Sequence, residues 1–111
     1  AGEILDGVEG VKTRELGSFV LAGKSRPVTI HELLCRSEEA GAFVDDLCGL
    51  FGRGLEAYRS RDWLGAGSWF QKVLDLRDGD GPARFYIALC ERLQNQPPDG
   101  TWDGSIRMGK G

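Results

Sequence analysis

The sequence lacks the features that mark membrane-spanning, secreted and nucleic-acid-binding proteins. Its 111 residues contain no apolar run long enough to cross a bilayer, and the N-terminal residues do not resemble a signal peptide. The formal net charge is −3. Because acidic and basic residues are spread evenly along the chain, there is no basic stripe for nucleic acid. A hydrophobic content of 41% supports a modest core, so we expect a small globular protein or a fragment of one.

Residues for metal or disulfide chemistry are also scarce. The sequence has one histidine and three cysteines: His31, Cys35, Cys48 and Cys90. An odd number of cysteines without zinc-ligand spacing argues against a disulfide scaffold and for a reducing compartment. We therefore expect a cytoplasmic location. Cys90 falls in an apolar helical stripe and is expected to be a small core residue, whereas His31 is expected at a surface or sheet edge.

Residues 13–35 alternate between apolar and polar side chains, which predicts a β-hairpin. On each strand two apolar residues are expected to share a face: Phe19 with Leu21, and Val28 with Ile30. The segment between the strands has turn chemistry: Ala22-Gly23-Lys24-Ser25-Arg26-Pro27. Because an isolated hairpin is marginally stable in water, we expect it to pack on the helices, fray or pair with a second copy.

A helical period begins after the hairpin and predicts a first helix over residues 38–60. Ser37 is the expected N-cap, and Glu38 and Glu39 suit the first turn. The predicted inner face consists of Phe43, Leu47, Leu50, Phe51, Gly54, Leu55 and Tyr58.

Two further helices are predicted. The second covers residues 63–76 after the cap Asp62, with an inner face of Trp63, Ala66, Gly67, Phe70, Val73 and Leu74. The third starts at Pro82 and ends before Pro97. Its apolar stripe is Ala83, Tyr86, Ile87, Cys90 and Leu93. We expect Trp102, in the irregular tail, to pack back on the helices because of its large apolar area.

The first two helices resemble one tetratricopeptide repeat. The residues that carry the resemblance are Phe51-x2-Gly54-Leu55-x2-Tyr58 and Ala66-x3-Phe70. The chain departs from the pattern in having Gly54-Leu55 where Leu-Gly is expected and in a turn one residue shorter. The resemblance implies an interaction or scaffolding element, with Gly54 and Ala66 at the helix crossing.

The segment Thr13–Leu33 resembles the C-terminal end of class III nucleotidyl cyclase domains. Its motifs are Arg14-x-Leu16-Gly17, then Gly23-Lys24, then Pro27-Val28-x-Ile30-x-Glu32-Leu33. The following residues resemble the extension found after the catalytic domain in many bacterial receptor-type cyclases: Tyr58, Asp62-Trp63, Ala66, Phe70, Asp80-Gly81-Pro82-Ala83 and Trp102-Asp103-Gly104. The match runs over roughly residues 13–107.

This resemblance implies that the chain is a fragment of a larger cyclase, which also fits its start at Ala1-Gly2 without Met. The parent would make cyclic nucleotide from ATP or GTP with magnesium or manganese, as a phosphorus-oxygen lyase. The family's paired aspartates and transition-state groups lie upstream of the closing hairpin. We therefore predict no catalytic, cofactor-binding or metal-binding residue and no cofactor in this fragment.

Several patterns that suggest chemistry have simpler interpretations. Asp45 and Asp46 are neighbours on a helix and diverge by about 100°, so a solvated face is expected rather than a metal site. Gly23-Lys24-Ser25 has Ser18 where a P-loop needs glycine, and it joins two strands. Gly79-Asp80-Gly81 and Gly7-Val8-Glu9-Gly10 lack the P-loop ending and are expected to be turns or loops.

A peptide groove would place Gly52, Glu56 and Arg59 on its first-helix wall, which is too little polar surface for a peptide clamp. Most aromatic residues at helical spacing are expected in the core. Trp69 is the exception, since it points about 100° away from Phe70 and faces the third helix, the hairpin or a partner.

The sequence thus predicts an α+β, mainly α chain: a cyclase remnant over residues 1–36, including a lead-in over 1–12, and a tetratricopeptide-like unit over 37–111 with a Trp-containing tail. The expected function is a non-catalytic regulatory or scaffolding segment of a class III adenylate/guanylate cyclase. The alternative is a free-standing tetratricopeptide-type protein-interaction module. Expected partners are proteins, namely the rest of the parent cyclase and a second copy through the hairpin. Nucleic acid and membrane contact are not expected, although the parent cyclase is compatible with a membrane anchor.

Overall fold

The computed structural model describes residues 11–36 and 41–107. These residues form β1 (Val11–Val20), β2 (Pro27–Arg36), α1 (Ala42–Arg59), α2 (Trp63–Leu76), α3 (Gly81–Asn95) and β3 (Ile106–Arg107). The predicted α+β, mainly α class, with a hairpin followed by three helices, is confirmed. The chain divides into two compact units, one holding the three strands and the other holding residues 42–103. The predictions for Gly7–Gly10 and for Ser37, Glu38 and Glu39 lie outside the described residues.

The strand unit is a three-stranded sheet in the order β2-β1-β3. β1 and β2 are antiparallel, and β3 runs parallel to β1. The Lys24 amide donates a hydrogen bond to the Leu21 carbonyl at 3.0 Å, and Gly23 has a φ of 79°, as a type II turn requires. The prediction that Leu21 shares a strand face with Phe19 is therefore wrong, because the chain already turns at Leu21. The lead-in was also predicted too long, since Val11 belongs to β1.

Two register shifts interrupt the pairing of β1 with β2. Leu16 is the extra residue on β1, and Leu34 is the extra residue on β2. Gly17, directly after the first bulge, has a φ of 125° that side-chain-bearing residues rarely adopt. The positive φ of Gly17 therefore explains the glycine of the Leu16-Gly17 pair.

The two helices that follow turns begin at aspartate caps. The Asp62 carboxylate accepts a hydrogen bond from the Gly65 amide at 3.0 Å, which confirms this residue as the cap of α2. The Asp80 carboxylate accepts from the Ala83 amide at 3.1 Å, with Pro82 in the first turn of α3. These caps satisfy backbone amides that otherwise have no partner in the helix.

The core of the helical unit is built from aromatic rings. Tyr86 stacks on Phe70 with a centroid separation of 4.9 Å and meets Phe51 and Tyr58 edge-to-face. Most of the predicted inner-face residues are buried: Leu47, Phe51, Gly54, Leu55, Tyr58, Ala66, Phe70, Val73, Ala83, Tyr86 and Cys90. The others, apart from Phe43, are only half-buried: Leu50, Trp63, Gly67, Leu74, Ile87 and Leu93.

Phe43 and Leu89 differ from the predicted inner faces. Phe43 is 49% exposed, so its placement in the core was wrong, and Leu89 is buried although it was not predicted. Both lie at the border of an apolar stripe, where helical period alone does not decide which side a neighbouring helix covers.

The tail is held on the helical unit by Trp102, as predicted. Its ring lies 5.2 Å from that of Tyr58 and 5.3 Å from that of Trp63, and it remains half-buried. The Arg61 guanidinium lies 5.2 Å from the Trp102 centroid and donates to the Pro98 carbonyl at 3.1 Å and to the Asp99 carbonyl. None of the helices in the described part of the chain is long and apolar enough to span a bilayer.

Candidate functional site

A surface groove runs between α1 and α2 and consists of two adjoining depressions that share Arg53. One has a volume of about 520 Å³ and walls that include Glu56, Ala57, Arg59 and Trp69. The other has a volume of about 450 Å³ and is lined by residues that include Asp45, Asp46, Leu50 and Leu76. We refer to the two together as the α1–α2 groove.

The groove follows from the spacing of residues along α1. Positions three and four apart lie on one side of a helix, so one stripe contains Phe43, Asp46, Leu50, Arg53 and Ala57. This stripe borders the buried face of α1 and is more exposed than it, with Asp46 and Arg53 exposed and Leu50 and Ala57 half-buried. From α2, Trp69 and Leu76 complete the groove because they lie seven residues, or about two turns, apart.

Trp69 is the aromatic platform of the groove. The Arg53 guanidinium carbon lies 5.3 Å from the ring centroid, and the Lys72 ammonium lies 5.9 Å from it. Both are within cation–π distance. Neither cation forms an ion pair with another described residue. Each instead lies against the Trp69 ring. Trp69 is half-buried outside the aromatic core, as predicted, but its ring lies beside Arg53 of α1, whereas the predicted neighbours within the chain were the third helix and the hairpin.

The residues predicted for a first-helix groove wall are brought together only in part. Glu56 and Arg59 line the groove, whereas Gly52 does not. The contacts of Arg53 and Lys72 with the Trp69 ring were not predicted from the sequence. The spacing of Lys72 three residues after Trp69 was a visible signal, but the approach of Arg53 depends on how α1 lies against α2.

The residues weighed for metal chemistry belong to different compact units, with Asp45 and Asp46 in the helical unit and His31 in the strand unit. Asp45 and Asp46 are exposed on α1, and His31 lies on β2 opposite Glu15 of β1. Within residues 11–36 and 41–107, no three His, Cys, Asp or Glu side chains are close enough to hold a metal ion.

The three cysteines occupy different environments. Cys35 and Cys48 are half-buried thiols, and Cys90 is buried, as predicted. Burial raises the pKa of the Cys90 thiol to about 11, which keeps it protonated at neutral pH. Burial likewise raises the pKa of Tyr58 to about 12. Both groups are therefore neutral core residues at physiological pH.

The glycine-rich segments that fall in the described residues are turns, as predicted. Gly23-Lys24-Ser25 connects β1 to β2, and Gly79, with a φ of 78°, leads into the Asp80 cap of α3. The first segment joins two strands, and the second stands before a helix without the lysine and hydroxyl residue of a phosphate-binding loop.

Comparison of the chain with models of known protein families, with curated proteins and with solved structures finds no match. What the α1–α2 groove provides is the Trp69 ring, the cations Arg53 and Arg59 in its walls, and an acidic end at Asp45 and Asp46. These features are suited to binding a polypeptide surface.

Proposed function

We propose that this chain is a non-catalytic C-terminal regulatory or scaffolding segment of a class III adenylate/guanylate cyclase. The observation that carries the proposal is the ion pair between Arg14 and Glu32 across β1 and β2. Arg14 belongs to the first half of the closing motif and Glu32 to the second half. Because the Arg14 side chain is only 1% exposed, these two motif positions depend on each other physically.

The glycines of the same motif support the proposal as well. Gly17 and Gly23 both have positive φ angles, one after the bulge of β1 and one in the turn. The Arg-x-Leu-Gly, Gly-Lys and Pro-Val-x-Ile-x-Glu-Leu residues thus lie in one hairpin, which supports the proposal. In the proposal this hairpin closes the catalytic sheet of the parent cyclase.

The activity, cofactor, location and partner that we propose for this segment follow from its place in the parent enzyme. Nucleotide, magnesium or manganese and the catalytic groups belong to the upstream domain, so the fragment itself has no enzymatic activity and no cofactor. In the proposal the segment lies in the cytoplasm, which is supported by three cysteines that form no disulfide. Its partner is the rest of the parent cyclase. We also propose that two copies associate through the hairpin, because β2 lies at an edge of the described sheet.

The proposal is tested by assaying cyclic nucleotide formation from ATP and from GTP with manganese. We expect the purified chain to give no turnover above a blank without protein. We expect the polypeptide that includes the region encoded upstream of Ala1 to be active. In that longer polypeptide, Trp102→Ala should change the rate because it loosens the helical unit, whereas Arg84→Ala, at an exposed position of α3, should not. Turnover by the purified chain, or an upstream region without cyclase activity, would contradict the proposal.

A second candidate function is a free-standing tetratricopeptide-type interaction module. The observation that favours it is the Trp69 platform, whose two cations have no ion-pair partner among the described residues. The mass of the endogenous polypeptide detected by an antibody against the helical unit separates the two functions. A product near 12.1 kDa supports the free-standing module, and a much larger product supports the cyclase segment.

A further inference from the structure

We propose that the α1–α2 groove is a self-association surface, in which α1 of a second copy lies antiparallel on α1 of the first. The proposal goes beyond either function above, since it concerns the exposed face of the helical unit and not the hairpin. The occupant is a second copy of this chain because the exposed Asp46 and Arg53 of α1 complement each other when α1 is paired with itself.

The stripe on α1 has the spacing of a coiled-coil seam. Phe43, Asp46, Leu50, Arg53 and Ala57 follow one another at alternating steps of three and four residues. Such a stripe presents a continuous line of side chains to a neighbouring helix. In this chain apolar residues stand at the start, centre and end of the line, with an acidic residue in its first half and a basic residue in its second half.

The charges determine the orientation. Asp46 and Arg53 are both exposed and lie seven residues apart, a separation of about 10 Å along the helix, which is too far for a pair within one chain. In an antiparallel pair centred on Leu50, Asp46 of each copy lies opposite Arg53 of the other. A two-fold axis then forms this ion pair twice, as an isologous interface requires. A parallel pair would instead place like charges together.

The apolar residues fit the same arrangement. Phe43 is 49% exposed, and the antiparallel register brings it opposite Ala57 of the other copy. Ala57 lies in the depression beside Trp69. The exposed Phe43 ring of each copy therefore enters the aromatic end of the partner groove, and Leu50 packs against its own copy at the centre.

Close approach of the two helices is also possible at the centre. Gly49 is exposed, and a Cβ built there would meet nothing within 4 Å. Glycine in a helix interior is less stable than alanine, and no contact within the described chain accounts for glycine at this position. In the proposed dimer, the absence of a side chain at Gly49 allows α1 of the second copy to approach closely.

Sedimentation equilibrium of the full chain over a range of concentrations tests the proposal. We expect a reversible monomer–dimer equilibrium that weakens at about 1 M salt, where charge interactions are screened. Arg53→Glu and Asp46→Arg should each raise the dimer dissociation constant roughly tenfold or more, since each creates two like-charge contacts. The double variant Asp46→Arg/Arg53→Glu should restore dimerisation because it exchanges the two charges.

Matched controls separate this surface from the rest of the chain. Arg84→Glu makes the same charge change on the exposed side of α3, and Leu64→Ser removes a 71% exposed apolar residue of α2. Neither should alter the dimer, whereas Phe43→Ser should weaken it. Circular dichroism of each variant checks that the fold is retained, as expected for exposed positions.

Four results would overturn the proposal. These are a wild-type chain that stays monomeric at all concentrations, equal effects of Arg53→Glu and Arg84→Glu, a double variant that remains monomeric, and a monomer that instead binds a polyglutamate peptide through Arg53. The last result would assign the groove to an acidic peptide rather than to a second copy.

Discussion

Gly54 of α1 lies directly against the ring of Phe70 of α2. A Cβ built on Gly54 would lie 2.6 Å from Cε1 of Phe70, which is closer than such atoms approach in proteins. The Phe70 ring cannot retreat easily, because it is fully buried and stacked on Tyr86. The close crossing of α1 and α2 therefore depends on the absence of a side chain at position 54.

Gly54→Ala should destabilise the helical unit by roughly 1–3 kcal/mol through overpacking. This loss outweighs the gain of about 1 kcal/mol in helix propensity. Gly67→Ala is the matched control, because a Cβ at Gly67 of α2 would meet nothing within 4 Å. Thermal denaturation should show a lower melting temperature for Gly54→Ala and an equal or higher one for Gly67→Ala. Equal behaviour of the two variants would refute the close crossing.

Trp102 and Arg61 should be energetically coupled. Trp102→Ala removes a half-buried ring from Tyr58 and Trp63, and we expect a loss of about 2 kcal/mol, below the roughly 3 to 5 kcal/mol of a fully buried tryptophan. A double-mutant cycle with Arg61→Ala should give a coupling of about 0.5–1 kcal/mol from the cation–π contact. The corresponding cycle of Trp102 with Arg84 should give none. Additive effects of Arg61→Ala and Trp102→Ala would show that the contact does not hold the tail.

Glu32→Gln should weaken the hairpin. The variant takes a negative charge away from the buried Arg14 guanidinium, which is expected to cost about 1–3 kcal/mol. Hydrogen exchange of the β1 and β2 amides reports the effect locally. Lys24→Gln, which removes a charge from the exposed turn, serves as the control and should leave exchange unchanged. If both variants exchange at the wild-type rate, the ion pair does not stabilise the hairpin.

The stability of the helical unit should fall as the pH rises above about 9. The pKa of Cys90 is raised from 9.0 to about 11 in the folded chain, so the unfolded chain loses this proton first. The stabilisation by the protonated thiol is complete below pH 9 and is lost as the pH approaches 11. Tyr58 acts in the same direction from pH 10 to about 12.

Urea denaturation between pH 8 and pH 11 measures this dependence. Cys90→Ala should flatten the decline, although it lowers the baseline stability by leaving a small cavity. Cys35→Ala should retain the wild-type slope. A decline of the same slope in both variants would mean that burial of the Cys90 thiol does not control the alkaline transition.

The sequence predicted the elements whose signals are local. The cap Asp62 and the apolar period correctly predicted where α2 begins and ends. The turn residues around Gly23 correctly predicted where β1 turns into β2. It did not predict β3, because a two-residue parallel pairing of Ile106 with Phe19 depends on distant parts of the chain. The same limit explains Phe43, whose exposure is decided by where α2 lies and not by the period of α1.

The groove was only partly visible in the sequence for a related reason. Trp69 was recognisable as an aromatic residue outside the apolar stripe, and Glu56 and Arg59 as polar residues of the first helix. The contact of Arg53 with Trp69 joins two helices, so it depends on their relative rotation and axial position. Neither quantity follows from hydrophobic period alone.

The coding sequence immediately upstream of Ala1 tests the central claim most directly. The account predicts a continuous reading frame that encodes a class III catalytic domain, with two aspartates for metal ions and an Asn/Arg pair for the transition state, ending in the Arg14–Leu33 hairpin. A start codon directly before Ala1, or an upstream domain without these residues, would contradict the assignment of this chain to a cyclase.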